Sequence, residues 1–223
     1  MNKRQKKKAR KKRAYPPYVS AKRRKKNKYL CERYCFLIPY NVWTGKVFWM
    51  RKPYDWTLAE SFPKGWWKAF GIQFCEELRA ELIKYNFLKE YRAVQIKEKY
   101  ARLRFYDNGY PKDSEVSEII GDYSALSENI CIVCGRPDTP VIIDMGWYEP
   151  VCKSCYEKRS NRKKKYIKEI PKYEDLICDD TFEMPNERTY TLYYNRTEET
   201  ITRDISSKAN QIRARWRTAH EHN

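Results

Sequence analysis

At 223 residues the chain can form one moderate domain or two small ones, which excludes a large multidomain enzyme. Apolar residues at 41% and aromatics at 15% supply enough buried surface for a core, which excludes a chain disordered throughout. The net charge of +18 is local: residues 1–28 hold 15 Lys or Arg and no acid, leaving 32 basic against 29 acidic residues beyond them.

Residues 1–28 read as a disordered basic arm, because like charges repel and no apolar periodicity offers a face to bury. Lys6, Lys7, Lys8, Arg10, Lys11, Lys12 and Arg13 form one block, and Arg23, Arg24, Lys25 and Lys26 another. Such an arm neutralises phosphates, so DNA or RNA is the expected partner, bound without base specificity and with strong salt dependence. Tyr15 and Tyr18 between the blocks offer rings for stacking on unpaired bases. A targeting signal and charge-mediated protein docking are the competing readings of the same residues.

From Tyr29 the composition turns aromatic and aliphatic, and residues 29–128 read as an α+β body. YCFLIPY and KVFWM, flanked by Pro39, Gly45 and Pro53, suggest extended segments around a turn. Trp67, Phe70, Phe74, Leu78 and Leu82 recur at helical spacing, predicting an amphipathic helix over about 65–86. Val94 and Ile96 then share one alternating face while Leu103 and Phe105 fall in the opposite phase, which requires a bulge or turn near 98–102. Asn108-Gly109 is a turn signal, and Val116, Ile119, Ile120, Tyr123 and Leu126 predict a helix over 113–127, with Ser114 as its cap.

Cys131-x2-Cys134 and Cys152-x2-Cys155, 17 residues apart, have the spacing of a four-cysteine zinc site. A two-residue gap lets both sulfurs of a knuckle reach one tetrahedral centre about 2.3 Å away, and Gly135 suits the turn. Residues 129–157 are therefore expected to be a zinc ribbon, with Val141 to Ile143 and Trp147 on the two sides of a short hairpin. Disulfides, a redox pair and unliganded buried thiols are the competing readings. No run of about 20 apolar residues and no signal-peptide core is present, so a cytoplasmic location and no membrane contact are expected. In that reducing compartment metal explains paired thiols better than disulfides do. Cys31, Cys35, Cys75 and Cys178 read as small core residues, with no second metal.

Beyond the ribbon, residues 158–223 read as a basic linker that includes Lys163, Lys164 and Lys165, a β-hairpin over 189–204, and a helix over 205–219 packed on the body. That helix carries Ile205, Ala209, Ile212 and Trp216 on one stripe. The fold class expected is α+β: a small mixed domain with an embedded four-cysteine zinc ribbon and a disordered basic arm.

No enzyme is expected. The only histidines, His220 and His222, stand at the chain end, so no imidazole is placed for hydrolase chemistry. Four thiolates also leave no open coordination position, which makes bound Zn2+ structural. Asp175, Asp179, Asp180 and Glu183 form the densest acidic cluster, and a carboxylate-dependent metal nuclease is the catalytic alternative.

The succession FPKGWWKAFG (62–71), QIKEKYARLRFYDNG (95–109), YSALSENICIVCGRPD (123–138) and GWYEPVCKSC (146–155) resembles a family of uncharacterised zinc-ribbon proteins of bacteria and their phages or mobile elements. The resemblance implies a small cytosolic accessory protein with the four cysteines as metal ligands. It also makes an inhibitor of a host defence or nucleoprotein complex, in the manner of an anti-CRISPR protein, an alternative to nucleic-acid binding. Those relatives carry Gly-Gly after QIKEKY, where Ala101-Arg102 stands here.

Overall fold

A lysine-rich segment folds when the cations that face the body each meet a carboxylate, and the first helix of the computed structural model does this. The described residues are 3–5, 19–49, 52–163, 171–178 and 198–220. Helix α1 (Ala21–Arg33) is capped by Ser20, whose hydroxyl accepts from the Arg23 amide at 3.2 Å. Arg23 forks onto Glu60 at 2.5 and 2.7 Å, Arg24 bonds Asp55 at 3.2 Å, and Arg33 forks onto Glu76 at 2.6 and 2.8 Å. Buried Asn27 donates to the Tyr54 carbonyl, and Leu30 and Cys31 enter the core. Residues 21–28 are thus helical and join the body, where the sequence predicts disorder. Residues 6–18 lie outside the described residues.

Among the described residues, the expected extended segments after α1 are reduced to one bridge, Tyr40 with Val47, closing a turn that holds Gly45 at φ +64°. YCFLIPY instead forms a 3-10 turn over Cys35–Leu37. Its aromatics bury Tyr34 and Phe36, and that packing overrides their strand propensity.

The central helix has a composite form. An α-turn over Lys64–Trp66 and a π-helical turn over Trp67–Gly71 lead into α2 (Ile72–Lys84). Its buried side chains are Trp66, Phe70, Phe74, Leu78 and Leu82, a strict spacing of four. Such a row drifts by about 40° per step on a 3.6-residue helix, and the wider π-turn takes up part of that drift. Trp66, not Trp67, therefore starts the buried row. Gly71 is obligatory where the Trp67 ring lies against the helix, since a Cβ there would meet its Cε3 at 2.5 Å.

Strands β1 (Ala93–Lys99) and β2 (Arg102–Asp107) form an antiparallel hairpin with Ile96 opposite Phe105 and Glu98 opposite Leu103. A two-residue turn at Tyr100 and Ala101, with φ +52° and +62°, accounts for the change of phase. Both turn residues carry a Cβ in the left-handed region, and the Glu98 carboxylate holds the Ala101 amide at 2.8 Å. A bulge between Ala93 and Gln95 places Ala93 and Ile96, rather than Val94 and Ile96, in the core.

Helix α3 (Val116–Ser127) packs on α2 and β2. Ser114 does not cap it: its hydroxyl donates to the Pro111 carbonyl at 2.6 Å, and Glu115 occupies the cap position. The ribbon hairpin, β3 (Val141–Asp144) and β4 (Trp147–Pro150), is followed by α4 (Lys153–Lys163). Phe74 joins the layers, with its ring 5.1 Å from Phe105, 5.2 Å from Tyr123 and 6.0 Å from Phe62.

The last helix, α5, spans Glu198–Thr218, so helix replaces the expected hairpin at 198–204. Ile201 continues in the sequence the four-residue step of Ile205 and Ala209, and α5 as a whole packs on α3. Residues 189–197 lie outside the described residues. Ile212 is buried, and Lys208, itself buried, bonds Asp122 at 2.7 Å and Glu77 at 3.2 Å beneath the Tyr123 ring. Arg213 forks onto Asp138 at the surface. Among the described residues no helix is long and apolar enough to cross a membrane.

Lys208→Ala, which leaves Asp122 buried without its cation, is expected to lower unfolding free energy by about 3 kcal/mol or more, against under about 1 kcal/mol for Arg213→Ala. Denaturant unfolding of both variants checks the contrast. Tyr100→Gly is expected to add about 0.5–1 kcal/mol by removing a left-handed Cβ, and the thermal midpoint reads it.

Candidate metal centre

Two structural devices bring the cysteines to one point. The first knuckle turns back on itself where the Gly135 amide donates to the Cys131 carbonyl at 2.8 Å and the Cys131 amide to the Arg136 carbonyl at 2.8 Å. Gly135 has φ +85°, and a Cβ there would lie 2.7 Å from the Gly65 carbonyl oxygen. The second pair stands at a helix start rather than in a knuckle. Cys152 precedes α4 and Cys155 lies in its first turn, with the Tyr156 amide bonded to the Cys152 carbonyl.

The hairpin between them sets the separation. β3 and β4 pair from Val141 with Pro150 to Asp144 with Trp147, joined by Met145 and Gly146 at φ +54° and +81°. The Ile132 amide donates to the Pro150 carbonyl at 2.8 Å, which lays the first knuckle beside the strand leading to Cys152.

The sulfurs of Cys131, Cys134, Cys152 and Cys155 consequently lie within 4.8 Å of one another, and Cys134 and Cys152 are 3.7 Å apart. Metal–sulfur bonds of about 2.3 Å at tetrahedral angles put sulfurs about 3.8 Å apart, so the cluster can hold a metal ion. All eight cysteines are free thiols.

The four thiols share charge unequally. A hydrogen bond from Cys152 and the amides of Cys152, Cys134 and Val133 pull Cys131 down to about 4. The same Cys131–Cys152 bond pushes Cys152 up, and burial raises Cys155 to about 11. A bound divalent cation would supply the charge that lets all four ionise.

The centre is fused to the body. The Gly65 amide donates to the Ile132 carbonyl at 2.8 Å, and a Cβ on Gly65 would stand 2.1 Å from the Cys131 carbonyl oxygen. Fully buried Trp66 donates its indole N–H to the Ile130 carbonyl at 2.8 Å. On the other side Ile142, Val151, Tyr156 and Tyr173 form a small core, with the Tyr173 hydroxyl on the Val151 carbonyl and Ile177 bridged to Ile142. Residues 171–178 thus pack on the ribbon, which extends beyond 157.

Of the remaining cysteines, Cys75 is fully buried in the core and Cys31 nearly so, while Cys35 donates to the Leu88 carbonyl and the Cys178 amide to the Val141 carbonyl. None joins the cluster.

The predicted polyanion contacts divide. Arg23 and Arg24 are ion-paired within the body, Lys25 and Lys26 are exposed on α1, and Lys163 is the last residue of α4. Lys6, Lys7, Lys8, Arg10, Lys11, Lys12, Arg13, Lys164 and Lys165 lie outside the described residues, as do Asp179, Asp180 and Glu183. Asp175 is exposed in a 3-10 turn over Glu174–Leu176. Spacing found the four sulfurs but not Gly65, Trp66 or Tyr173, which fix the cluster in place. The only sequence signal for them was the glycine between Lys64 and Trp66 at a helix start.

No protein-family model matches the chain, and no curated protein or solved structure does.

Cobalt(II) added to the reduced protein is expected to bind once per chain with thiolate charge-transfer absorption, which Cys152→Ser abolishes. Gly65→Ala should lower the thermal midpoint and weaken cobalt binding, because its Cβ would displace the Cys131 backbone. Full cobalt affinity in that variant would show that the knuckle does not need this close approach.

Proposed function

We propose that the protein is a non-enzymatic, zinc-stabilised nucleic-acid-binding accessory protein, of phage or mobile-element origin by the family it resembles. Four thiolates around a tetrahedral point favour zinc over the hard cations, which prefer oxygen. A complete set of four protein ligands also suits a structural ion rather than a catalytic one. His220 stacks on the Trp216 ring at 3.8 Å on the exposed end of α5 and faces no thiol of the cluster.

The segregation of charge carries the reading of function. The positive excess is gathered in residues 1–28, where the body offsets Arg23 and Arg24 with Glu60 and Asp55. Basic residues gathered on one terminus give an electrostatic footprint for phosphates, with affinity and salt dependence but no base reading.

A second reading, docking on a host defence or nucleoprotein complex, is favoured by exposed apolar residues at two turn tips. Trp43 is 92% exposed in a turn pinned by the Asn41 side chain, and Met145 and Trp147 are 77% and 74% exposed at the ribbon tip. A partner retained after nuclease treatment and lost in Trp43→Ser or Trp147→Ser would favour it over the first.

Removal of residues 1–18, which stops short of the folded helix and takes away nine Lys or Arg, tests the leading reading. Affinity for nucleic acid is expected to fall at least tenfold near 0.1 M salt. The log–log salt dependence should flatten by about 0.7–0.9 for each phosphate that is no longer neutralised. Titration monitored by fluorescence anisotropy reads both, and unchanged binding rejects the terminus as a contact surface.

A further inference from the structure

Helix α1 separates its cations into two faces. Arg23, Arg24, Asn27, Leu30 and Cys31 face the body, where the arginines meet Glu60 and Asp55 and the others are buried. Lys22, Lys25, Lys26 and Tyr29 are all exposed, Tyr29 by 61%. At 100° per residue these four fall within an arc of about 100° on the opposite side, spread over about 10 Å of helix. Among the described residues none of the three lysines has a carboxylate partner, whereas neighbouring Lys28 is paired with Glu32 at 3.5 Å.

Three unneutralised ammonium groups within two turns repel one another, and α1 has no acid in its first turn to offset them. The helix persists because its other face is clamped by Glu60, Asp55, Asn27 and the core. The charged face is therefore presented rigidly instead of relaxing apart. An aromatic ring at the same azimuth as the lysines adds what a phosphate-only surface lacks: a flat apolar face beside the cations.

We propose that this face of α1 is a binding track for single-stranded nucleic acid, with Lys22, Lys25 and Lys26 on successive phosphates and the Tyr29 ring stacked on an unpaired base. The assignment rests on the nucleic-acid reading above and narrows it to a folded surface and to single strands. A base inside a duplex has no free ring face for Tyr29, while its phosphates remain open to the lysines.

The test uses the full chain with fluorescent oligothymidylate and oligouridylate and with a duplex of the same length. Lys22→Gln/Lys25→Gln/Lys26→Gln is expected to weaken single-strand binding at least tenfold and to flatten the salt slope by about 2, three phosphates at about 0.7 each. Exposed Lys64, Lys89 and Lys112, changed together to Gln, remove the same charge elsewhere and should leave affinity within about twofold. Tyr29→Ala is expected to cost roughly fivefold or more on single strands and little on duplex. All of these positions are exposed, and an unchanged thermal midpoint verifies that each variant folds. Equal losses from the two lysine triples would overturn the track, and equal loss from Tyr29→Ala on duplex and single strand would overturn the stacking. If removal of residues 1–18 abolishes binding while the α1 variants match the unmodified chain, the terminus binds nucleic acid and the track is wrong. Absence of binding by the unmodified chain defeats both.

Discussion

Four sulfurs meeting at one point is the constraint from which the ribbon half of the structure follows. Among the described residues, the buried side chains of the small core beneath β3 and β4 are Ile142, Val151, Tyr156 and Tyr173. A core of that size is too small to order a segment by burial alone. Coordination energy can supply what apolar area cannot, provided the ligands are held together before the ion arrives. Hydrogen bonds do that holding: Ile132 to Pro150, Gly135 to Cys131, and Tyr173 to Val151.

The constraint reaches the body through an unusually close backbone approach. Gly65 and the first knuckle come so near that neither Gly65 nor Gly135 has room for a Cβ, and the Trp66 indole ties the residue before Cys131 to the same helix start. The ribbon is thus an extension of the central helix more than a separate domain. The C-terminal helix closes the other side by a buried Lys208 between Asp122 and Glu77 and a surface fork from Arg213 to Asp138, next to the knuckle. Metal site, central helix and C-terminal helix share one framework, and α1 adds its cations to the outside.

What was legible in the sequence was whatever a fixed period or spacing encodes. The cysteine pairs declared their cluster, the change of phase between Ile96 and Leu103 demanded the turn at Tyr100, and the four-residue row from Phe70 to Leu82 gave the central helix. What was not legible depended on partners remote in sequence. The fold of residues 20–28 hinges on Glu60 and Asp55, more than 30 residues away, so local repulsion alone pointed to disorder. The Thr-rich stretch before Ile205 has strand propensity, yet 198–204 run on as one helix with the residues after them, a continuation that local propensity does not encode. Ser114 carried the right chemistry for a cap but spent its hydroxyl on Pro111. Trp66 displaced Trp67 from the core because the π-turn shifts the helical phase, which a 3.6-residue template does not contain.

Amide hydrogen exchange of the protein loaded with a divalent metal ion, and again after chelation, tests the coupling between cluster and body most directly. The amides of Gly65, Ile132 and Gly135, each bonded across or within the knuckle, should lose protection together when the metal is withdrawn, while those paired between β1 and β2 keep theirs. Equal protection of the Gly65 and Ile132 amides in both states would contradict the claim that four thiolates, by gripping one ion, hold the ribbon to the central helix.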